Sequence, residues 1–370
     1  MSSIPSIRPD LQLSAGYHSP QVEAEVRLNT NESPFPPPEK WSEDLLAALG
    51  HVAFNRYPDR PATALRAAIA DLHGVAPEEV FCANGSNEVL QCLLLAYGGP
   101  GRSAVVFEPT YALHSHISRL TGTRVIEGHR TEDFRIDPTA AASLLAREQP
   151  DITFLCSPNN PTGRVEPKST VEAVLAAAPG LVIVDEAYGQ FASWSALSSR
   201  GPTPTPPSTP TQAPAHAPAH PGLVVTRTFS KTWAMAGARL GYLVADPAVV
   251  SACEAVVLPY HLSAQTQLAG SLALRYVDEM ESRVALIAEE RGRVAAALGD
   301  LPVESWPSEA NFILFRPLGQ SGDKVWHGLL DRSVLIRNCS SWDGLEGCLR
   351  VTIGRPDEND RFLTALKESL

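Results

Sequence analysis

The sequence predicts an α/β chain, with a large domain built on a mostly parallel seven-stranded sheet and a smaller α+β domain after it. Three observations carry this. Seven short β-rich apolar runs between Val80 and Val244 alternate with helical or turn segments, a pattern that implies crossover connections and a sheet covered on both faces. After about Leu262 the texture changes to a long helical stretch followed by further strands. The bulk composition, 370 residues with 44% hydrophobic and 19% charged, suffices for two domains and a substantial core.

Taken in order, the elements divide the chain into 1–44, 45–262 and 263–370. Residues before about Trp41 carry Pro34, Pro36, Pro37 and Pro38 in close succession, which rules out a regular helix there; an arm with part of the small domain is expected of the first part. Pro61 then opens a helical turn, Leu65, Ile69 and Leu72 share one face, and Gly74 stops it. Strands are expected at 80–83, 104–107, 124–127, 152–155, 181–185, 223–226 and 240–244. Beyond them come one helical stretch over 265–298, strands at 311–316, 334–338 and 348–353, and a last helix from Asp357. Residues 198–222 differ in kind: Pro, Thr, Ala and Ser dominate and Ala-Pro-Ala-His repeats, so an exposed, disordered insertion is expected. Pro218 between His216 and His220 blocks a helix that would align them, and no metal site is expected.

The formal charge of −11 and the lack of any Lys/Arg run argue against a nucleic-acid partner. No apolar run approaches membrane-spanning length, so no membrane partner is expected. The start is punctuated by Pro5, Arg8, Pro9 and Asp10, unlike a secretory signal. Six cysteines without a Cys-x-x-Cys pair read as reduced core thiols, and a cytoplasmic location is expected.

Chemistry concentrates in the run from Thr228 to Gly241. Lys231 lies there between Thr228, Ser230 and Arg239, an amine nucleophile surrounded by anion-binding side chains. Partial burial near other cations lowers an amine's pKa and frees it to attack a carbonyl. An amine beside a phosphate site suggests pyridoxal phosphate. Ser86 and Asn87 follow a predicted strand and open an apolar helix, which makes either a phosphate site or an ordinary capping turn. Asp185 ends the apolar run 181–184 and emerges at the sheet's carboxyl edge, where it can pair with a pyridinium nitrogen. Asn160 and Tyr188 are placed to donate to the ring's 3-oxygen. Tyr111 either stacks on the ring or packs in the core. Arg350, inside an apolar strand, needs an anion to offset its desolvation, either a substrate carboxylate or phosphate or a structural carboxylate. Arg337 is similarly placed one strand earlier.

Asn160-Pro161-Thr162-Gly163, Asp185-Glu186-Ala187-Tyr188 and Lys231 together resemble the site of aspartate-aminotransferase-like enzymes of fold type I. Leu28-Asn29-Thr30-Asn31-Glu32-Ser33-Pro34, Tyr57-Pro58-Asp59, Ser157 to Gly163 and Thr226 to Lys231 resemble more closely the motifs of the histidinol-phosphate aminotransferase family, over nearly the whole chain. The resemblance implies a dimeric pyridoxal-phosphate transaminase of histidine biosynthesis with shared active sites. It implies that Lys231 bonds the cofactor aldehyde and Asp185 pairs with the pyridinium. Ser86, Asn87, Thr228, Ser230 and Arg239 would hold the cofactor phosphate, with Tyr57 reaching it from the second subunit. Tyr17, also from that subunit, and Arg337 would meet the phosphate of a phosphorylated amino alcohol. Arg350 would align the carboxylate of glutamate or 2-oxoglutarate. Two features depart from the family pattern: the 198–222 insertion, and Asn338 where an acidic residue follows the arginine. An aromatic amino-acid aminotransferase uses the same machinery and is the alternative reading.

Overall fold

The computed structural model describes residues 4–6, 22–200 and 220–370. Seven strands form the large sheet: β2 (Val80–Ala83), β3 (Ser103–Glu108), β4 (Arg124–His129), β5 (Ile152–Cys156), β6 (Leu181–Asp185), β7 (Leu223–Thr228) and β8 (Gly241–Val244). Their order is β2-β8-β7-β6-β5-β3-β4, and β8 alone runs against its neighbours. Six strands therefore deliver their carboxyl ends to one edge, where ligands of such sheets bind.

The sheet is apolar on both faces because each face is covered. Ile183 of β6 packs into one core cluster with Val89, Leu90 and Val250 from helices, while its neighbours Val182 and Val184 pack into another with Leu145, Val171 and Val174. The two-residue period of a strand sends alternate side chains to opposite layers. This is the continuous apolar run expected of a strand buried twice.

The second sheet joins β1 (Val26–Leu28) to β9 (Val303–Ser305), β10 (Phe312–Pro317), β11 (Val334–Asn338) and β12 (Leu349–Thr352), in the order β1-β11-β12-β10-β9. Val26, Leu28, Phe312, Ile336 and Phe362 close its core. The N-terminal strand thus belongs to the sheet furthest from it in sequence. This brings residues 29–32 across the cavity described below.

The helical stretch expected at 265–298 is two helices, Ala264–Ala273 and Val277–Gly299. Tyr276 breaks them with φ −116° and ψ 41°, and its hydroxyl donates to Asp44 Oδ2 at 2.7 Å. No local stop signal marks the place. Docking decides it: Met280 packs in the core beside the large sheet, whereas Ile287, Val294 and Leu298 pack beneath the small one. Tertiary packing here overrides helix propensity.

Of the expected insertion, residues 201–219 lie outside the described residues, and Ala196–Arg200 form a short 3-10 turn. All six cysteines are free and buried. Among the described residues no helix is long and apolar enough to cross a membrane.

Candidate active site

A cavity of about 410 Å³ opens at the carboxyl edge of the large sheet, beneath residues 29–32 and β12. Its lining includes Ser86, Asn87, Tyr111, Asn160, Asp185, Tyr188, Thr228, Ser230, Lys231, Arg239 and Arg350. These eleven were all singled out from sequence.

One end is built for an anion. Ser86 begins the helix Ser86–Tyr97, whose first-turn N–H groups lack intrahelical acceptors and carry partial positive charge. Gly85 precedes it at φ 80°, and a Cβ there would lie 2.6 Å from Arg239 Nη2. A Cβ on Gly241 would lie 2.2 Å from Ser86 N, so β8 presses directly against this turn. Thr228 Oγ1 donates to Ser230 Oγ at 2.9 Å and accepts from Ser230 N at 3.1 Å. Arg239 takes a left-handed backbone (φ 52°) and donates Nη1–H to Ala236 O at 3.1 Å. Three side chains and a helix terminus thus converge on one point.

Lys231 donates to the Thr30 carbonyl at 3.0 Å and lies 5.9 Å from the centre of the Tyr188 ring. The cavity opens over it, so its surface is half-buried, while protein surrounds it otherwise. Burial, then the Arg350 and Arg239 guanidiniums, push its amine down to about 8, with Glu32 pulling the other way. The chain has four other lysines, Lys40, Lys168, Lys324 and Lys367, and all are exposed.

Asp185, also in the lining, is 1% exposed. Its Oδ1 accepts from Ala187 N at 3.1 Å, and Oδ2 meets His114 Nε2 at 2.9 Å. His114, missed in the sequence, is fully buried and stacks on Phe154 at 4.7 Å with the rings 7° apart. Its helix Leu113–Leu120 reads Leu-His-Ser-His-Ile-Ser-Arg-Leu, a polar string that suggests a solvated face. Only the contact with Asp185, 71 residues away, singles it out.

Asn160 Oδ1 accepts from Arg350 Nη1 at 2.5 Å. Arginine has only donors, so the Asn160 amide must turn its NH₂ the other way. Arg350 Nη2 donates to Asn29 O at 2.9 Å, its face lies 5.1 Å from the Phe312 ring centre, and its buried Nε finds no acceptor among the described residues. Tyr111 donates to Asn87 Oδ1 at 3.2 Å. Burial raises the Tyr188 phenol above its usual value, keeping it protonated at neutral pH. Behind Asp185, Glu186 and Arg227 form a buried ion pair at 2.7 Å that ties β6 to β7.

Three predicted residues lie elsewhere. Tyr57 is 80% exposed and stacks on Tyr260 at 4.5 Å, outside this cavity. Arg337 is buried opposite Arg350 in the antiparallel register of β11 and β12, with its guanidinium 5.7 Å from the Trp342 ring centre. Tyr17 lies outside the described residues.

Comparison with known proteins supplies the context for this geometry. A histidinol-phosphate aminotransferase of Corynebacterium efficiens is 45% identical over 381 residues, covering 100% of this chain and 95% of the relative. The one from Thermobifida fusca is 46% identical, covering 97% and 94%. Among solved structures, a histidinol-phosphate aminotransferase from Sinorhizobium meliloti in complex with pyridoxal-5'-phosphate is similar in fold, with a TM-score of 0.83 at 23% identity, covering 100% of this chain and 98% of that one. The family model for aminotransferase class I and II matches residues 23–366. The chain belongs to the class I and II aminotransferase family.

Proposed function

We propose that the protein exchanges an amino group between L-histidinol phosphate and 2-oxoglutarate, giving imidazole-acetol phosphate and glutamate, as a pyridoxal-phosphate-dependent step of histidine biosynthesis. One observation carries the reading. A single cavity holds the Lys231 amine, the buried Asp185 carboxylate and Arg350, in a chain whose nearly full-length relatives bear the name of that reaction.

When bound, pyridoxal phosphate supplies an aldehyde that condenses with amines and a pyridinium ring that accepts the electron pair left when the substrate carbon loses its proton. The donor set fits this group end to end. Ser86, Asn87, Thr228, Ser230 and Arg239 would hold the phosphate, and Tyr111 would lie against the ring. Asp185 would hold a proton on the ring nitrogen, and Asn160 and Tyr188 would donate to the ring oxygen. Lys231 would be the amine that holds the cofactor's aldehyde, and the same amine is placed to serve as the acid and base for the substrate carbon's proton. Arg350 orients the substrate carboxylate, its guanidinium fork matching that geometry. Arg337, paired with Arg350 in the register of β11 and β12, is the cation this reading assigns to the substrate phosphate, since guanidiniums bind phosphate in a bidentate manner.

The assembly is a homodimer in this reading, located in the cytoplasm. Tyr57 and Tyr260, with exposed Phe54 (67%) and Leu258 (76%) close in sequence, form the face that meets the second copy, and Tyr57 reaches the partner's phosphate site.

Half-reactions followed in the visible spectrum test the substrate. Histidinol phosphate and glutamate are expected to convert the bound cofactor at far lower concentrations than phenylalanine. Arg337→Ala removes charged hydrogen bonds worth roughly 1.5–3 kcal/mol, so kcat/KM for histidinol phosphate falls roughly 10- to 100-fold with phenylalanine unaffected. Phenylalanine preferred over histidinol phosphate would sink the assignment.

Reconstitution of the apoprotein carries a pH signature. Only the unprotonated Lys231 amine attacks an aldehyde, so the capture rate rises with pH through about 8 and levels off above it. A rate still climbing towards the ordinary lysine value of 10.5 contradicts the depressed basicity. His114 gives a further expectation: His114→Phe removes one hydrogen bond to the Asp185 carboxylate, worth roughly 1.5–3 kcal/mol. Activity then drops roughly 10- to 100-fold, measured as kcat/KM, and an unchanged value shows that Asp185 needs no such partner.

A further inference from the structure

Residues 29–31 touch the catalytic groups in turn: Asn29 O accepts from Arg350, Thr30 O from Lys231, and Asn31 Nδ2 donates to Tyr188 Oη at 2.9 Å. The last of these has a direction that its surroundings dictate. Asn31 is 1% exposed and sits in the left-handed backbone region at φ 57°, where asparagine is among the few tolerated side chains. Its backbone N–H donates to Thr352 Oγ1 at 3.0 Å, and Thr352 Oγ1 donates onward to Asn31 Oδ1 at 2.9 Å. Asn311 Nδ2 donates to the Asn31 carbonyl at 3.1 Å. The backbone N–H occupies one acceptor site of the Thr352 hydroxyl and Oδ1 takes its proton; turning the amide over would leave that proton without an acceptor. Nδ2 must then point at Tyr188.

We propose that Asn31 is a positioning residue that fixes the direction of the Tyr188 hydroxyl, making it accept from the amide so that its own proton points into the cavity. The inference rests on the reading of Tyr188 as a donor to the cofactor's ring oxygen. It adds where that direction comes from: a residue between β1 and the large domain, held by Thr352 of β12 and Asn311 beside β10. Tyr188, in the large domain, is thereby aligned by the small sheet. A buried hydroxyl next to an amide that offered its oxygen instead would donate to that oxygen and withhold its proton from the cofactor.

Asn31→Asp tests this, since aspartate has the same shape, tolerates the left-handed backbone and presents an acceptor where the amide presented a donor. The readout is the pH midpoint of the holoenzyme's visible absorbance change, which a proton donated to the ring oxygen lowers. The midpoint is expected to rise by about one pH unit or more in Asn31→Asp and equally in Tyr188→Phe, with little further rise in the double variant. Asn31→Gly, which keeps the backbone conformation, gives a smaller rise and serves if the aspartate variant loses cofactor. An unmoved midpoint in both Asn31 variants overturns the inference. So does a rise that persists undiminished when Tyr188 is already Phe, because it then stems from the added charge. If Tyr188→Phe alone leaves the midpoint in place, the donor reading of Tyr188 fails first and Asn31 falls with it.

Discussion

Replacing Lys231 by Ala lowers the rate of amino transfer by at least about 10³-fold, near the upper range of positioned acid–base catalysis with the covalent attachment lost as well. No other residue can take over. The remaining four lysines are all exposed on the surface, and the other basic side chains lining the cavity, Arg239 and Arg350, carry guanidiniums and not amines. The fold is expected to survive. Burial lowers the Lys231 amine to about 8 from an ordinary 10.5, so below pH 8 the folded state holds a proton it disfavours relative to the unfolded chain. Stability linked to this group rises between about 8 and 10.5 and is lowest below that window. Removing the amine therefore leaves the melting temperature at pH 7 unchanged or slightly higher. Single-turnover rates and thermal melts of the same preparation separate the two effects. Turnover near the wild-type rate would defeat the assignment.

Asp185→Asn is expected to lower kcat by roughly 10²–10³-fold, the usual consequence of removing one preorganised electrostatic partner from a dry site. The amide has nearly the same shape and can keep a hydrogen bond to His114, but it has no charge with which to hold a proton on the ring nitrogen. Without that proton the ring accepts the departing electron pair poorly, so the loss falls on kcat and spares KM. The carboxylate is almost wholly buried, with His114 on one oxygen and the Ala187 amide on the other. Solvent cannot substitute for it. A kcat within about tenfold of wild type contradicts this role, and steady-state kinetics with glutamate at saturating cofactor decide it.

The large sheet was legible because its signal is local. Each strand is a short apolar run bounded by turns, and a strand covered on both faces reads as continuous hydrophobicity, as Leu181 to Val184 does. The cavity's lining was legible for a related reason: most of its residues lie just past strand ends, where parallel topology gathers them. What stayed hidden depends on contacts distant in sequence. His114 sits in a polar string and is identified only by a partner 71 residues on. The buried Arg130–Glu166 pair joins the end of β4 to the segment after β5, and neither residue has neighbours that announce it. The helix break at 274–276 follows from packing against two different cores, not from any stop residue. Asn31 belongs to a motif visible in the sequence, yet its contact with Tyr188 depends on β1 pairing with β11, which lies some 300 residues away.

The most direct test of the account is chemical. Reduction of the holoenzyme with borohydride fixes the cofactor to whichever amine holds it, and peptide mass mapping then finds the bonded residue. The modification is predicted on the peptide containing Lys231 and on no other. Finding it on Lys40, Lys168, Lys324 or Lys367, or finding no covalent adduct in protein that binds the cofactor, would contradict the central claim.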